Sequence, residues 1–268
     1  MINIFNKVVG WLRRDFYFTT QQVICLVIMI LFIALLLRIA CWWVEPVISR
    51  DGIRYIEWAE ALKTANGDFD ILAEQYTEYT QSPLFISILA LPIPGMTPHT
   101  IALLLNISLG TLLVFIVFLL FKYTTNNNNI ALAGALIAAV HPTLINYSIE
   151  IQRECGYLFC TSLFLLFFII YFHNTKLIFS NIAAVAGVFA FLFRYEGWEL
   201  FLFAGLAFAF VLFYNKSINR FRLVCHILLF GGTTILTILI TLLILQKTPS
   251  SWINNNWIKL YDKISYQE

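Results

Sequence analysis

Between residues 23 and 245 the chain consists of long apolar runs that few charges interrupt, and this limits what it can fold into. A bilayer core about 30 Å thick takes roughly 20 apolar residues per helix. Six runs meet or approach that length: 23–44, 100–121, 130–147, 157–172, 197–214 and 223–245. A seventh, 177–193, ends against Arg194. A further apolar stretch at 84–93 is too short to cross and is closed by Pro92, Pro94 and Gly95, which break a helix. Only 12% of the residues are charged, where a soluble domain has about 25%, so most of the surface cannot face water. The expected fold is an all-α, polytopic bundle of about seven spans, with short surface helices in its first outer loop.

Lys and Arg fix an orientation, because they are retained on the cytoplasmic side. With residues 1–22 inside as an amphipathic interfacial segment, the inner loops carry Lys7, Arg13, Arg14, Lys122, Lys176, Lys216, Arg220 and Arg222. The outside then receives loop 45–98, with eight acidic residues against Arg50, Arg54 and Lys63. Residues 23–246 form the membrane domain and 247–268 a polar tail. In this topology Arg50-Asp51, Glu150/Arg153/Glu154 and Arg194/Glu196 all fall on the outer face, each near a helix end. Charges at membrane depth are costly and mark function.

Several classes are excluded. A net charge of +2 points to no nucleic-acid partner. The five cysteines form no CxxC pair and the four histidines stand singly without HExxH, so neither a zinc site nor a disulfide framework is expected.

Each charged patch has a structural and a chemical reading. From Gly52 to Ala65 the sequence predicts an amphipathic helix, with Tyr55, Trp58, Ala59 and Leu62 on one face. Asp51, just ahead, is either its N-cap or a carboxylate able to take a proton from an acceptor hydroxyl. Ser82-Pro83 reads as a cap and first residue of a short helix. Glu150, Arg153 and Glu154 form either an interfacial charge group at a helix start or a second carboxylate site facing Asp51, steering an acceptor or helping to hold a divalent cation. Arg194 and Glu196, wedged between two spans, form either a local ion pair or an Arg that binds a lipid phosphate.

Taken in order, these patches resemble the GT-C glycosyltransferases of glycosyltransferase family 39, which include protein O-mannosyltransferases and the lipid A aminoarabinose transferases. The resemblance lies in Asp51-x-x-x-Tyr55-x-x-x-Ala59 after the first span, Pro83-Leu84, His141-Pro142 before Glu154, and the Arg194-to-Gly197 turn. It covers roughly residues 20–215, and order and spacing carry it. Many members have two adjacent acidic residues where this chain has Asp51-Gly52, and members commonly have more spans. The chain is therefore expected to be a compact member, a truncated copy or half of a complex.

The resemblance implies transfer of a monosaccharide from a polyprenyl-phosphate donor to an acceptor hydroxyl of a lipid, glycan or protein, with inversion, at the outer face of a bacterial inner membrane. Asp51 is the implied base, with Glu154 positioning the acceptor or a cation. Arg50, Arg153 and Arg194 are the implied phosphate ligands, with Tyr55, Glu150 and Glu196 in support. The rivals are a non-catalytic, lipid-binding subunit of envelope glycan synthesis and a lipid-linked saccharide transporter. A transporter should place polar groups near the bilayer midplane; within the spans only Arg38 and small polar residues such as Asn106 break the apolar pattern.

Overall fold

A computed structural model describes residues 19–44, 48–65, 82–214 and 220–244. Every regular element among them is helical. In chain order they are α1 (Thr20–Val44), α2 (Arg50–Thr64), α3 (Pro83–Leu89), α4 (Pro98–Thr125), α5 (Asn128–Val140), α6 (Pro142–Ile149), α7 (Glu154–Asn174), α8 (Leu177–Phe193), a single 3-10 turn at Tyr195–Gly197, α9 (Trp198–Tyr214) and α10 (Arg220–Ile244). The predicted interfacial segment up to residue 18, the middle of the first loop and the tail from 245 lie outside the described residues.

Five helices are long and apolar enough to cross a membrane: Thr20–Val44, Pro98–Thr125, Glu154–Asn174, Tyr195–Phe213 and Leu223–Thr241. This is the architecture of an integral membrane protein. The run at 130–147 is not one helix. It comprises α5 and α6, which meet at 53° across His141, and counting the pair as one span makes six. Pro142 causes the break, since it lacks an N–H and its ring clashes with the preceding turn. The run at 177–193 forms α8, whose 17 residues reach only about 25 Å. The seven expected crossings therefore divide into five long helices, a bent pair and a short inner helix.

Two packing units hold the bundle. On α1 the buried positions Val23, Val27, Ile30, Ala34 and Arg38 follow helical spacing, forming a stripe that meets α4 and α5. The larger unit surrounds α8, whose Ala183, Ala184, Ala186, Gly187 and Ala190 let its neighbours approach closely. Around it lies a cluster of aromatic rings: Phe168 meets Phe172 edge-on at 4.9 Å and Phe208 at 5.4 Å, and Phe208 meets Phe230 at 5.6 Å. Each such pair contributes about 0.5–1.5 kcal/mol beyond its buried area.

α2 and α3 do not cross. The buried face of α2 is Gly52, Tyr55, Trp58, Ala59 and Leu62, as its periodicity predicts. Tyr55 packs edge-on against Trp58 at 5.6 Å and Phe85 of α3 at 5.3 Å, so the two short helices pin each other across one end of the bundle.

Candidate functional site

The helix carrying Asp51 begins earlier than the sequence suggests. Ser49, not Asp51, is the N-cap of α2, its Oγ accepting a hydrogen bond from Gly52 N at 3.1 Å. A Ser hydroxyl fulfils that role as well as a carboxylate. Asp51 therefore stands in the first turn, exposed, near the positive end of the helix. Arg50, beside it, is also exposed.

Gly52 brings this end of α2 against the segment between α6 and α7. A Cβ on Gly52 would lie 3.1 Å from both the Cβ and the carbonyl oxygen of Ile151. A second acidic side chain at 52, as in many members of the resembled family, would meet that backbone. Ile151 is buried, and it places Glu150, Arg153 and Glu154 beside the start of α2.

That segment is fixed from beneath. Asn106 of α4, fully buried, donates from Nδ2 to the carbonyl oxygens of Glu150 and Gln152, both at 2.9 Å. Cys155 Sγ donates to Asn106 O at 3.1 Å. Below these, the buried Arg38 donates from Nε to Ser148 Oγ at 3.0 Å and from Nη1 to Ala34 O at 2.9 Å and Ala139 O at 3.4 Å. Ala139 lies in the last turn of α5, where the break orphans carbonyls. Arg38 thus grips both sides of the bent span, its cation at a helix C-terminus where the dipole favours it.

Arg153 is nearly buried and donates from Nη1 to Ser82 Oγ at 2.8 Å, while Ser82 Oγ donates to Phe193 O at 2.8 Å. Ser82 stands at the N-cap position of α3 but makes no capping bond with its side chain. Its hydroxyl instead ties three segments together, a use that the Ser-Pro cap reading of the sequence does not contain.

Arg194 is held at the end of α8. Its Nη1 pairs with Glu154 Oε1 at 2.9 Å, its Nη2 with Glu196 Oε1 at 2.7 Å, and its Nε donates to Glu196 Oε2 at 3.2 Å. The guanidinium also lies over the Tyr157 ring, 5.7 Å from its centroid. The local ion pair of the sequence reading is present, with Glu196, and Glu154 joins it from another helix. Gly197 permits the tight turn, since a Cβ there would lie 2.4 Å from Phe191 N.

Tyr55 is where the patches converge. Burial is the largest influence and pushes its phenol above the ordinary value. The charge of Arg153 opposes this, Glu154 and Asp51 reinforce it, and a hydrogen bond with Ser82 opposes it. Residues 51, 82, 153 and 154 thus all influence one phenol at one end of the bundle. The Glu150 carboxyl is likewise pushed up, first by burial and then by the charge of Glu154, and its Oε2 accepts from Gln152 Nε2. Among the described residues, no three His, Cys, Asp or Glu side chains converge as a metal set.

The arrangement offers an exposed carboxylate, a phenol, partly exposed carboxylates and three guanidinium groups within one polar patch on an otherwise apolar bundle. Sequence reasoning placed Asp51, Glu154, Arg50, Arg153, Arg194, Tyr55, Glu150 and Glu196 there. It missed Ser82 and Gln152 as members, and Arg38 and Asn106 as the support below. No family model, no curated protein and no solved structure matches the chain.

Proposed function

We propose that this chain is a GT-C-type membrane glycosyltransferase that moves a monosaccharide from a polyprenyl-phosphate donor to an acceptor hydroxyl at the outer face of the membrane. The observation that carries this reading is the linked polar set at one end of an apolar bundle: Arg153 bonded to Ser82, Arg194 paired with Glu154 and Glu196, and the start of the Asp51 helix packed through Gly52 against Ile151. A polyprenyl donor is insoluble in water, so the protein that uses it must meet it within the bilayer, with its phosphate at the interface.

In the proposed step the acceptor oxygen attacks the anomeric carbon and forms the new glycosidic bond. The bond from that carbon to the phosphate oxygen breaks, and polyprenyl phosphate leaves with the electron pair. Asp51, exposed and relieved of capping by Ser49, takes the hydroxyl proton as general base. Attack opposite the leaving group inverts the anomeric centre. The departing phosphate requires positive charge, and Arg50 and Arg153 are assigned to it. Arg194 spends its fork on Glu154 and Glu196, so its role here is to hold Glu154 against the acceptor side. A divalent cation would find Glu150 and Glu154 as its nearest carboxylates. A bacterial inner membrane with the site facing the periplasm, a seven-crossing count that includes α8, and an acceptor lipid, glycan or protein belong to the same proposal.

A second reading, a lipid-linked saccharide transporter, is favoured by the 53° break between α5 and α6 and by the buried Arg38 beside it. One assay separates the two. Purified protein is supplied with radiolabelled polyprenyl-phosphate sugars and membrane acceptors, comparing wild type with Asp51→Asn. Label transferred by the wild type and reduced at least about a hundredfold in the variant is expected for a general base. Equal transfer by both would move the base elsewhere. Absence of transfer across the donor panel, with movement of labelled lipid between leaflets, would replace the enzyme by the transporter.

A further inference from the structure

The far end of the bundle has a different chemistry. α4 stops at Thr125 and α7 at Asn174, each followed by a residue in the left-handed region, Asn126 and Thr175, both with φ 51°. The two chain ends lie side by side and leave a cavity of about 560 Å³. Leu119, Lys122, Tyr123, Asn126, His173 and Asn174 line it. These side chains supply an ammonium, an imidazole, a phenol and two carboxamides, with no carboxylate.

The surrounding sequence is equally one-sided. No Asp or Glu occurs between Glu78 and Glu150, between Glu154 and Glu196, or between Glu199 and Asp262. Among the described residues this end holds Lys122, His173, Lys176 and Arg220 instead. Two helix C-termini bring partial negative charge to the cavity. Lys122 offsets that field, so an anion here must be held by side chains.

An apolar path runs up from the cavity. Leu112 lies two turns above Leu119 on the same face of α4 and is 48% exposed, while Ile116, Leu166 and Ile170 close the α4–α7 seam behind it. A basic pocket between membrane helices, continuous with an exposed apolar furrow, suits a molecule with a charged head and a hydrocarbon tail. A free inorganic anion has no use for the furrow.

We propose that this cavity is a head-group site for an anionic phospholipid of the cytoplasmic leaflet. Lys122 and His173 hold its phosphate, Tyr123, Asn126 and Asn174 donate to head-group oxygens, and one acyl chain lies along Leu119 and Leu112. The site is separate from the polar patch at the other end, and only its assignment to the cytoplasmic leaflet rests on the orientation proposed above.

The test uses the full chain in lipid-free detergent, with thermal unfolding recorded against added phosphatidylglycerol, phosphatidylcholine or inorganic phosphate. Phosphatidylglycerol is expected to raise Tm saturably and phosphatidylcholine much less. Lys122→Gln should weaken the apparent affinity about fivefold, roughly the contribution of one basic side chain at a membrane surface. Lys122→Arg should restore it, and Lys176→Gln, outside the cavity, should leave it unchanged. Equal responses to the two lipids, or a Lys122→Gln/His173→Gln double variant that responds like the wild type, would overturn the proposal. A matching response to inorganic phosphate alone would replace the lipid by a free anion. If the variants do not fold, a photoactivatable phosphatidylglycerol on the wild type decides: label on peptides containing residues 119–126 or 173–174 supports the site, and label confined elsewhere removes it.

Discussion

At the scale of single residues, the polar end of the bundle turns on side chains that bind far from their own position. Ser82 joins Arg153 and Phe193, which lie 71 and 111 residues away. Such a link leaves no local signature, so a Ser before a Pro is legible only as a cap. Glu150 gives a prediction with a definite sign. Burial and the Glu154 charge hold its folded carboxyl above the ordinary value of 4.5, so the folded state binds the proton more tightly than the unfolded chain does. Stability should therefore fall as pH rises from the ordinary carboxylate value through the raised one. Thermal melts between about pH 4 and 7 should show this decline in the wild type and a flatter profile in Glu150→Gln. Identical profiles would mean that Glu150 carries no strain in the folded state.

At the scale of helices, the bent span holds most of the information that the sequence concealed. Apolar length alone reads 130–147 as one crossing, because hydropathy does not register a direction change. His141-Pro142 was visible as a pair, but not the 53° between α5 and α6. Nor was Arg38 legible as anything except an intrusion in α1. Its place on the stripe of Val23, Val27, Ile30 and Ala34 shows that it faces inward, while its bonds to Ala139 O and Ser148 Oγ give the reason. Helices α2 and α3 were legible, since period and proline placement are local properties. If Arg38 holds the bend, Arg38→Met should loosen it. Spin labels at Leu136 and Thr143, both exposed, should report a single narrow distance in the wild type and a broader one in Arg38→Met, with Arg38→Lys in between. An unchanged distribution would assign the bend to Pro142 alone.

At the scale of the whole molecule, the spans fix the class and the charges fix two unlike ends. One end has carboxylates paired with guanidinium groups, and among the described residues the other has basic side chains and no carboxylate. The seven expected crossings follow from run length, but run length treats α8 like its neighbours, and α8 is a packed inner helix of 17 residues. The orientation expected from the Lys and Arg distribution makes a direct prediction. In sealed inside-in vesicles, a membrane-impermeant maleimide should label a cysteine at Glu57, exposed on α2, from outside, and one at Lys176 only after the membrane is opened. The reverse pattern would turn the molecule over and place the polar patch in the cytoplasm.

The shortness of α8 has a consequence for the surrounding lipid. Lys176 precedes it and Arg194 follows it, two cations separated by about 25 Å of helix, where an average hydrocarbon slab measures about 30 Å. If α8 crosses, neither cation gains by being drawn into oil, and lipid that meets the helix would dip toward them on at least one side. The dimple would bring the head groups of passing lipids down to the level of Arg194 and Glu154. A thicker, sterol-stiffened membrane resists such a dimple more than a thin one does, and bilayer thickness then becomes a variable that the protein feels at its polar end.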